Sequence, residues 1–251
     1  MLHIISNSSI GPMDHELDQH IINPDTKYII IAGNISMTNK RAMLYAEKLA
    51  TMYQNSYVIF NHGIAESYRG LYDRIIDGYE LHINEFKKSP ENLYFPKGKC
   101  IGDYDFYCTI GWPTITNNIN FQNSYFNTSL FTALDESIYI DGLLMSTHFQ
   151  RVFTLENLIK ESEAEKIKVK EWLAIDQGKP KILVTALGDQ CASYVGESTY
   201  KTFDGLDLSG ITWICGGDYD FVNTYRNANV ICLPGRDRSR YISKETMNLI
   251  P

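Results

Sequence analysis

The chain has 251 residues, of which 44% are hydrophobic, enough to bury the core of one large globular domain. A formal net charge of −7 disfavours nonspecific adhesion to nucleic acid or to an anionic membrane. No apolar run approaches the roughly 20 residues of a membrane span, and the first residues lack the basic region of a secretion signal. The five cysteines are scattered without a CxxC pair, which is typical of reduced thiols. We therefore expect a cytoplasmic protein.

Short apolar strands alternate with helices in the first half of the chain. The predicted strands have the sequences LHIIS, YIIIAG and SYVIF. Helices are predicted over His15–Ile22, Lys40–Tyr53 and Tyr68–Phe86, where apolar residues recur at helical spacing. Strands that are separated by helices need crossover connections, which indicates a largely parallel sheet.

The middle of the chain is predicted to contain strands that follow one another directly. Their sequences are NLYFP, KCIGDYDFYCTIG, with a turn at Gly102-Asp103, and ESIYIDG. Between the last two lies an Asn-rich, aromatic segment that includes Asn117–Phe131. A loop of this length inside a compact domain is either functional or mobile.

The most amphipathic segment, Thr154–Asp176, is predicted to be helical. Within it, Ser162-Glu163-Ala164-Glu165 has the pattern of a capping box, which predicts that a helix restarts there. Three strands follow, with the sequences KILVTA, GITWICGG and NVICLPG. Each of them ends at a small residue, so each strand end can open onto a site built from loops.

Polar and small residues follow the predicted strands in an ordered series. In chain order the segments are Ser6–Ser9, Gly33-Asn34, Asn61-His62-Gly63, Thr185–Leu187 and Gly216–Tyr219. Ligands of open α/β sheets gather at the carboxyl ends of the strands. Each segment alone is an ordinary turn, but their order, spacing and flanking strands together match the pattern of a known family.

The chain resembles the calcineurin-like metallophosphoesterases, whose strand ends carry Asp-x-His, Gly-Asp, Gly-Asn-His, a single His and Gly-His-x-His. The resemblance covers essentially the whole chain and includes the segments NLYFPKGKCIGDYDFYCTIGW, KILVTA and TWICGGDYDF. It implies one α/β domain over residues 1–251. In that fold, two packed mixed β-sheets are flanked by helices in a four-layer αββα sandwich.

Most metal ligands of that family are replaced in this sequence. Asn34 stands where the family has the carboxylate that bridges two metal ions, and of the ligand positions only Asn61 is retained. The other replacements are Asn7 and Ser9 at the first motif, Ala186 at the fourth, and Gly217 and Tyr219 at the fifth. Two divalent ions about 3.5–4 Å apart need anionic oxygens between them, and an asparagine oxygen is neutral. We therefore expect no metal or other cofactor and a degenerate member of the superfamily.

Some residues favour retained chemistry instead. His62 matches the histidine that in the family protonates the leaving group, and it is the candidate catalytic residue if the protein is active. Without metal ions, one imidazole supplies a rate factor of only about 10²–10⁴. Asp189, Asp218 and Asp220 follow predicted strands, so these carboxylates are candidates for a rebuilt site for a hard cation such as Mg²⁺.

Three functions remain open at this point. The first is a catalytically inactive binding or regulatory module with a protein partner, in a phage or bacterial setting that the Asn-, Ile-, Lys- and Tyr-rich composition suggests. Its candidate contact residues are Tyr125, Phe126 and Phe131, because aromatic anchors suit partner recognition. The second is an active phosphoesterase with a rearranged Mn²⁺ or Mg²⁺ site.

The third is a vestigial pocket that binds a nucleotide or another phosphate compound without hydrolysing it. The residues assigned to this pocket are Asn7, Ser9, Asn34, Asn61, His62, Ala186, Gly217, Asp218 and Tyr219.

Overall fold

A computed structural model of the chain describes residues 1–6, 22–36, 38–63, 66, 72–85, 89–114, 132–140, 143–152, 155–188, 201–217, 221–225, 227–234 and 239–242. The aromatic loop Asn117–Phe131 lies outside these ranges, as does the helix predicted over His15–Ile22 except for its last residue. Among the described residues, no helix combines the length and the apolar composition that a membrane span requires.

In the first half of the chain, the described strands alternate with helices. In the second half, most of the described elements are strands. The strands are β1 (Leu2–Ile5), β2 (Tyr28–Ile31), β3 (Tyr57–Phe60), β4 (Leu93–Tyr94), β5 (Lys97–Ile101), β6 (Tyr104–Thr109), β7 (Pro113–Thr114), β8 (Thr132–Ile140), β9 (Leu143–Val152), β10 (Lys181–Thr185), β11 (Lys201–Thr202), β12 (Thr212–Gly217), β13 (Phe221–Tyr225), β14 (Ala228–Pro234) and β15 (Ser239–Ile242). The helices are α1 (Asn39–Met52), α2 (Tyr72–Glu80), which continues as a π-helical turn over Leu81–Glu85, and α3 (Leu155–Ala174).

Two mixed sheets form the centre of the fold. The first has the order β15-β1-β2-β3-β4, in which β1 to β4 are parallel and β15 runs antiparallel to β1. The second has the order β13-β14-β12-β10-β6-β5, with β14, β12, β10 and β6 parallel. Two antiparallel pairs, β7 with β11 and β8 with β9, lie outside these sheets. The strand β9 was not predicted from the sequence.

Alternate residues of each strand face opposite sides of their sheet and so enter different hydrophobic clusters. Between the sheets, Ile4 and Ile30 of the first pack with Phe106 and Val184 of the second. On the outer face of the first sheet, the partners are the apolar stripe of α1 and Tyr79 of α2. On the outer face of the second sheet, the partners include Val169 and Trp172 of α3. These layers confirm the predicted αββα sandwich.

The predicted helix restart at Ser162–Glu165 is wrong, because α3 runs without interruption from Leu155 to Ala174. The two polar side chains that gave the capping pattern instead contact the loop after β6. Ser162 Oγ donates to the Trp112 carbonyl, at 3.4 Å, and the Glu165 carboxylate accepts backbone N–H groups there. A polar pair inside a helix therefore marks a tertiary contact here.

A buried charge network attaches the end of α3 to the second sheet. Asp105 on β6 is fully buried, and its Oδ2 accepts hydrogen bonds from Trp172 Nε1 at 2.8 Å and from Lys181 Nζ at 3.1 Å. Lys181 Nζ also donates to the carbonyls of Trp172 and Ile175, at 2.9 and 2.6 Å. The carboxylate therefore links a helix side chain to two neighbouring strands.

We predict that Asp105→Ala lowers the free energy of unfolding by about 3–5 kcal/mol, because it leaves the Lys181 ammonium without its buried counterion. Equilibrium urea denaturation measures this change. Asp103→Ala is the control, since Asp103 pairs with Lys27 at the surface and their side chains are 64% and 47% exposed. The free energy of unfolding of this control should remain close to that of the unaltered protein. Equal losses for both variants would contradict the structural role of Asp105.

Candidate functional site

The loops that follow β2 and β3 are held together by one buried carboxylate. Glu66 is 1% exposed. Its Oε1 accepts the backbone N–H groups of Ile35, at 2.6 Å, and Ser36, at 3.2 Å. Its Oε2 accepts those of Gly63, at 2.7 Å, and Asn34, at 3.1 Å. The side chain thus fixes both strand ends relative to each other.

Burial raises the pKa of the Glu66 carboxyl above its usual value, while the backbone N–H groups of Ile35, Ser36 and Gly63 act in the opposite direction. The four hydrogen bonds satisfy peptide groups that would otherwise be buried without a partner at the turn. Glu66 was not among the residues selected from the sequence. A glutamate three positions after Gly63 looks the same in sequence whether it is buried or exposed.

Asn34 lies at the carboxyl end of β2 with a left-handed backbone (φ 55°). Its Nδ2 donates to the Ala186 carbonyl at 3.3 Å, which connects the end of β2 to the end of β10 in the other sheet. A Cβ atom at Gly63 would lie 2.2 Å from Oδ1 of Asn34, so the amide oxygen packs directly against this glycine. Both ends of the Asn34 amide are therefore engaged within the protein.

Two glycines allow these loops to come so close. Gly33 has φ 99°, and a Cβ atom there would lie 2.8 Å from the Cβ of Ala186 and 2.9 Å from the backbone N of Gly63. A larger residue than alanine at position 186 would meet the same backbone. The structure thus brings Asn34, Gly63 and Ala186 together at one end of the sandwich.

Asn61 follows β3 and is fully buried. Its Nδ2 donates to the carbonyls of Thr109, at 2.8 Å, and Ala32, at 3.3 Å, and so links the carboxyl ends of β3, β6 and β2. Its Oδ1 has no hydrogen-bond partner among the described residues. This oxygen is a neutral acceptor inside the strand-end cluster, which we define as Asn34, Asn61, Gly63, Glu66 and Ala186.

The His62 ring packs against two aromatic side chains. Its centroid lies 5.8 Å from that of Phe95 and 5.9 Å from that of Tyr79. Burial lowers the pKa of the imidazole well below its usual value, and the nearby Lys97 cation lowers it further. His62 is therefore neutral at pH 7.

A second buried glutamate stabilises the loop after β6. Glu165 on α3 accepts the backbone N–H groups of Ile110, Gly111 and Trp112, at 3.1, 3.0 and 3.1 Å. Burial raises its pKa, and hydrogen bonds from Thr109 and Trp112 oppose that shift. The loops after β2 and β3 in one sheet and the loop after β6 in the other are therefore fixed by the same type of contact.

The remaining predicted site residues are distributed as follows. Gly217 ends β12, where its backbone pairs with Pro234 of β14. Several residues lie outside the described part of the chain, namely Asn7, Ser9, Tyr125, Phe126, Phe131, Asp189, Asp218, Tyr219 and Asp220. Their predicted roles stay predictions.

The described part of the cluster does not fit a two-metal centre. Within the described ranges, no group of three His, Cys, Asp or Glu side chains is placed to hold a metal ion. Asn34 turns its Nδ2 to a carbonyl, Ala186 offers a methyl group, and Glu66 uses both oxygens on backbone N–H groups. Among the described residues of the cluster, the neutral Oδ1 of Asn61 is a buried acceptor without a hydrogen-bond partner. What this arrangement offers a ligand is hydrogen bonding without formal charge.

No protein-family model matches the sequence, and no curated protein matches it significantly. Among solved structures, the chain is similar to the phosphopantetheinyl hydrolase of Mycobacterium tuberculosis, with a TM-score of 0.60. The sequences are 12% identical, and the alignment covers 93% of this chain and 89% of the hydrolase. At this identity the similarity shows the fold alone. The chain therefore has a metallophosphoesterase-like α/β sandwich fold, as the sequence resemblance implied.

We predict that Glu66→Gln lowers the free energy of unfolding at neutral pH by at least about 2 kcal/mol, because an amide nitrogen would face backbone N–H groups. The deficit should widen as the pH falls toward 4.5, the ordinary glutamate value. Folding raises the pKa of Glu66, so as the pH falls the folded state of the unaltered protein binds a proton before the unfolded state does. Its free energy of unfolding therefore increases as the pH falls and decreases as the pH rises.

Urea denaturation between pH 7 and pH 4.5 measures this dependence, with Glu163→Gln as the control at an exposed glutamate of α3. A Glu66→Gln deficit that stays constant over this range would contradict the raised pKa. A stability equal to that of the control would contradict the four-bond contact.

Proposed function

We propose that this protein is a binding or regulatory module that uses a phosphoesterase-like fold without metal-dependent hydrolysis. The observation that carries the proposal is the hydrogen bond from Asn34 Nδ2 to the Ala186 carbonyl. In the family that the sequence resembles, these two positions hold a metal-bridging carboxylate and a ligand histidine. Here they bind each other as a neutral amide and a peptide carbonyl.

Electrostatics supports the same conclusion. Two divalent cations repel each other strongly unless anionic oxygens lie between them. The carboxylate of the strand-end cluster, Glu66, accepts hydrogen bonds from four backbone N–H groups, and binding a metal would require breaking these bonds. His62 is neutral and packed among aromatic rings, so it is poorly suited to act as the acid of a hydrolytic reaction.

The alternative is a phosphoesterase whose metal site is rebuilt from Asp189, Asp218 or Asp220. The similar solved structure is a phosphopantetheinyl hydrolase, so a phosphopantetheinyl ester is the appropriate test substrate beside a generic phosphodiester. We predict that the purified protein retains less than stoichiometric Mn²⁺ after dialysis and hydrolyses neither substrate above the rate of Mn²⁺ alone. Metal analysis and product assays provide the measurement. Stoichiometric metal with turnover that Asp218→Ala abolishes would reverse this proposal.

Asn34→Asp gives an independent test of the same site. The substitution replaces the donor to the Ala186 carbonyl with a carboxylate, so we expect a loss of about 1–3 kcal/mol in stability that Mn²⁺ does not restore. Asn39→Asp, at the exposed start of α1, is the matched control and should be tolerated. If Mn²⁺ raised the melting temperature of Asn34→Asp or of the unaltered protein, the residues here would be metal ligands after all.

We further propose that the protein partner binds the segment Asn117–Phe131 through Tyr125, Phe126 and Phe131. Large aromatic side chains carry much of the energy of protein interfaces. Replacing Tyr125 and Phe126 with alanine should reduce specific partner capture at least tenfold while the melting temperature stays unchanged. His148→Ala, outside the segment, is the control. Unchanged capture by the double variant would exclude this segment as the contact surface.

A further inference from the structure

One chemical feature that the proposed function does not use is a cleft between α2, the β5–β6 hairpin and α3. Its volume is about 430 Å³, within the range of small-molecule sites. Thr109 and His62 lie at its inner end, and Tyr107 and Trp172 form an aromatic wall. Of the residues that end β2, β3 and β10, only His62 lines this cleft, so it is a separate cavity from the Asn34–Ala186 contact.

The cleft is lined by a half-buried cation, Lys97. Lys97 Nζ donates to the Cys108 carbonyl at 2.5 Å and lies 4.7 Å from the centre of the Phe95 ring. In the described part of the chain, no carboxylate forms an ion pair with it. Glu165 lines the same cleft, but its two oxygens are held by the backbone N–H groups of the loop after β6. Glu165 therefore compensates the charge of Lys97 in part through space, without an ion-pair contact.

The pKa of Lys97 supports this description. Partial burial lowers it from the usual lysine value, and the nearby carboxylates of Glu165 and Glu80 offset that shift only in part. A half-buried cation that is incompletely compensated is stabilised by an anion that reaches it. The inner end of the cleft is thus suited to a single negative charge on a ligand.

The outer part of the cleft has the opposite charge. Its exposed rim carries Asp77 and Glu80 on α2 and Glu171 on α3, with Lys168 as the opposing cation, and Glu161 lies half-buried on the same side. A purely anionic ligand would be repelled by the carboxylates of this rim, and a purely cationic ligand would bring no negative charge to Lys97. A molecule with an anionic end for Lys97 and a cationic end for the rim carboxylates suits both parts of the cleft.

From this arrangement we infer that the cleft binds a small zwitterion, an aliphatic amino acid whose carboxylate contacts Lys97 and whose ammonium lies among the rim carboxylates. The methylene groups would lie along Tyr107 and Trp172, where apolar surface is available. A carboxylate suits the site better than a phosphate dianion, because Lys97 supplies one positive charge. This inference does not depend on the proposed loss of hydrolysis, since the cleft does not contain Asn34 or Ala186.

Three matched probes test the inference by isothermal titration calorimetry at pH 7 on the unaltered chain. They are 6-aminohexanoate, with both charges, hexanoate, with the anion alone, and hexylamine, with the cation alone. We expect 6-aminohexanoate to bind at least tenfold more tightly than either of the others. Equal affinity for all three, or no binding of 6-aminohexanoate at 10-millimolar concentration, would overturn the inference.

Lys97→Met then locates the anionic end. It should weaken 6-aminohexanoate binding about tenfold and bring its affinity to that of hexylamine. Lys99→Met is the control on the same strand, because Lys99 lies over Tyr94 and does not line the cleft. Undiminished binding by Lys97→Met would overturn the assignment. The comparison of the three probes needs no variant, so it decides the question even if Lys97→Met does not fold, and it uses neither metal nor phosphoester.

Discussion

Glu66 and Glu165 bind backbone N–H groups in loops at the carboxyl ends of strands, and the geometry of this end of the sandwich depends on those contacts. Seven hydrogen bonds to backbone are involved, four to Glu66 and three to Glu165. Burying a carboxyl group is costly, and burial raises the pKa of both residues. The cost is offset because turns packed inside a protein would otherwise contain N–H groups without acceptors.

The same contacts support the proposal that a phosphoesterase-like fold is retained here with different chemistry at its strand ends. In a two-metal enzyme, cations hold the acidic side chains of neighbouring loops together. Here the backbone of each loop is held by a glutamate, and the two sheets are joined by neutral amides, from Asn34 to Ala186 and from Asn61 to Thr109. Such a site needs no cation to keep its shape. This is the physical basis of the proposal that the protein acts by binding.

Polar groups in this protein fall into two sets with different surroundings. At the strand ends, the amide nitrogens of Asn34 and Asn61 and the carboxylates of Glu66 and Glu165 form internal hydrogen bonds. In the cleft beside them, Lys97 forms one hydrogen bond and no ion pair among the described residues. Groups held by internal hydrogen bonds determine structure, whereas an incompletely compensated charge in an open cavity is available to a ligand. That contrast is why we infer a ligand for the cleft and assign the glutamates a structural role.

The sequence by itself determined the strands and helices that build the fold, and its resemblance to the metallophosphoesterases implied their arrangement in layers. Buried runs such as YIII and KILVT and the helical periodicity of α1 predicted these elements, because period and burial are local properties of the chain. It also placed Asn34, Asn61 and Ala186 at strand ends, since strand ends are visible as small and polar residues. Only the tertiary structure decided what each polar side chain contacts. Glu165 resembled a helix cap, and nothing in the sequence showed whether Glu66 is buried or exposed. Most hydrogen-bond partners of these two glutamates lie 30 to 55 positions away, and such a distance leaves no local pattern.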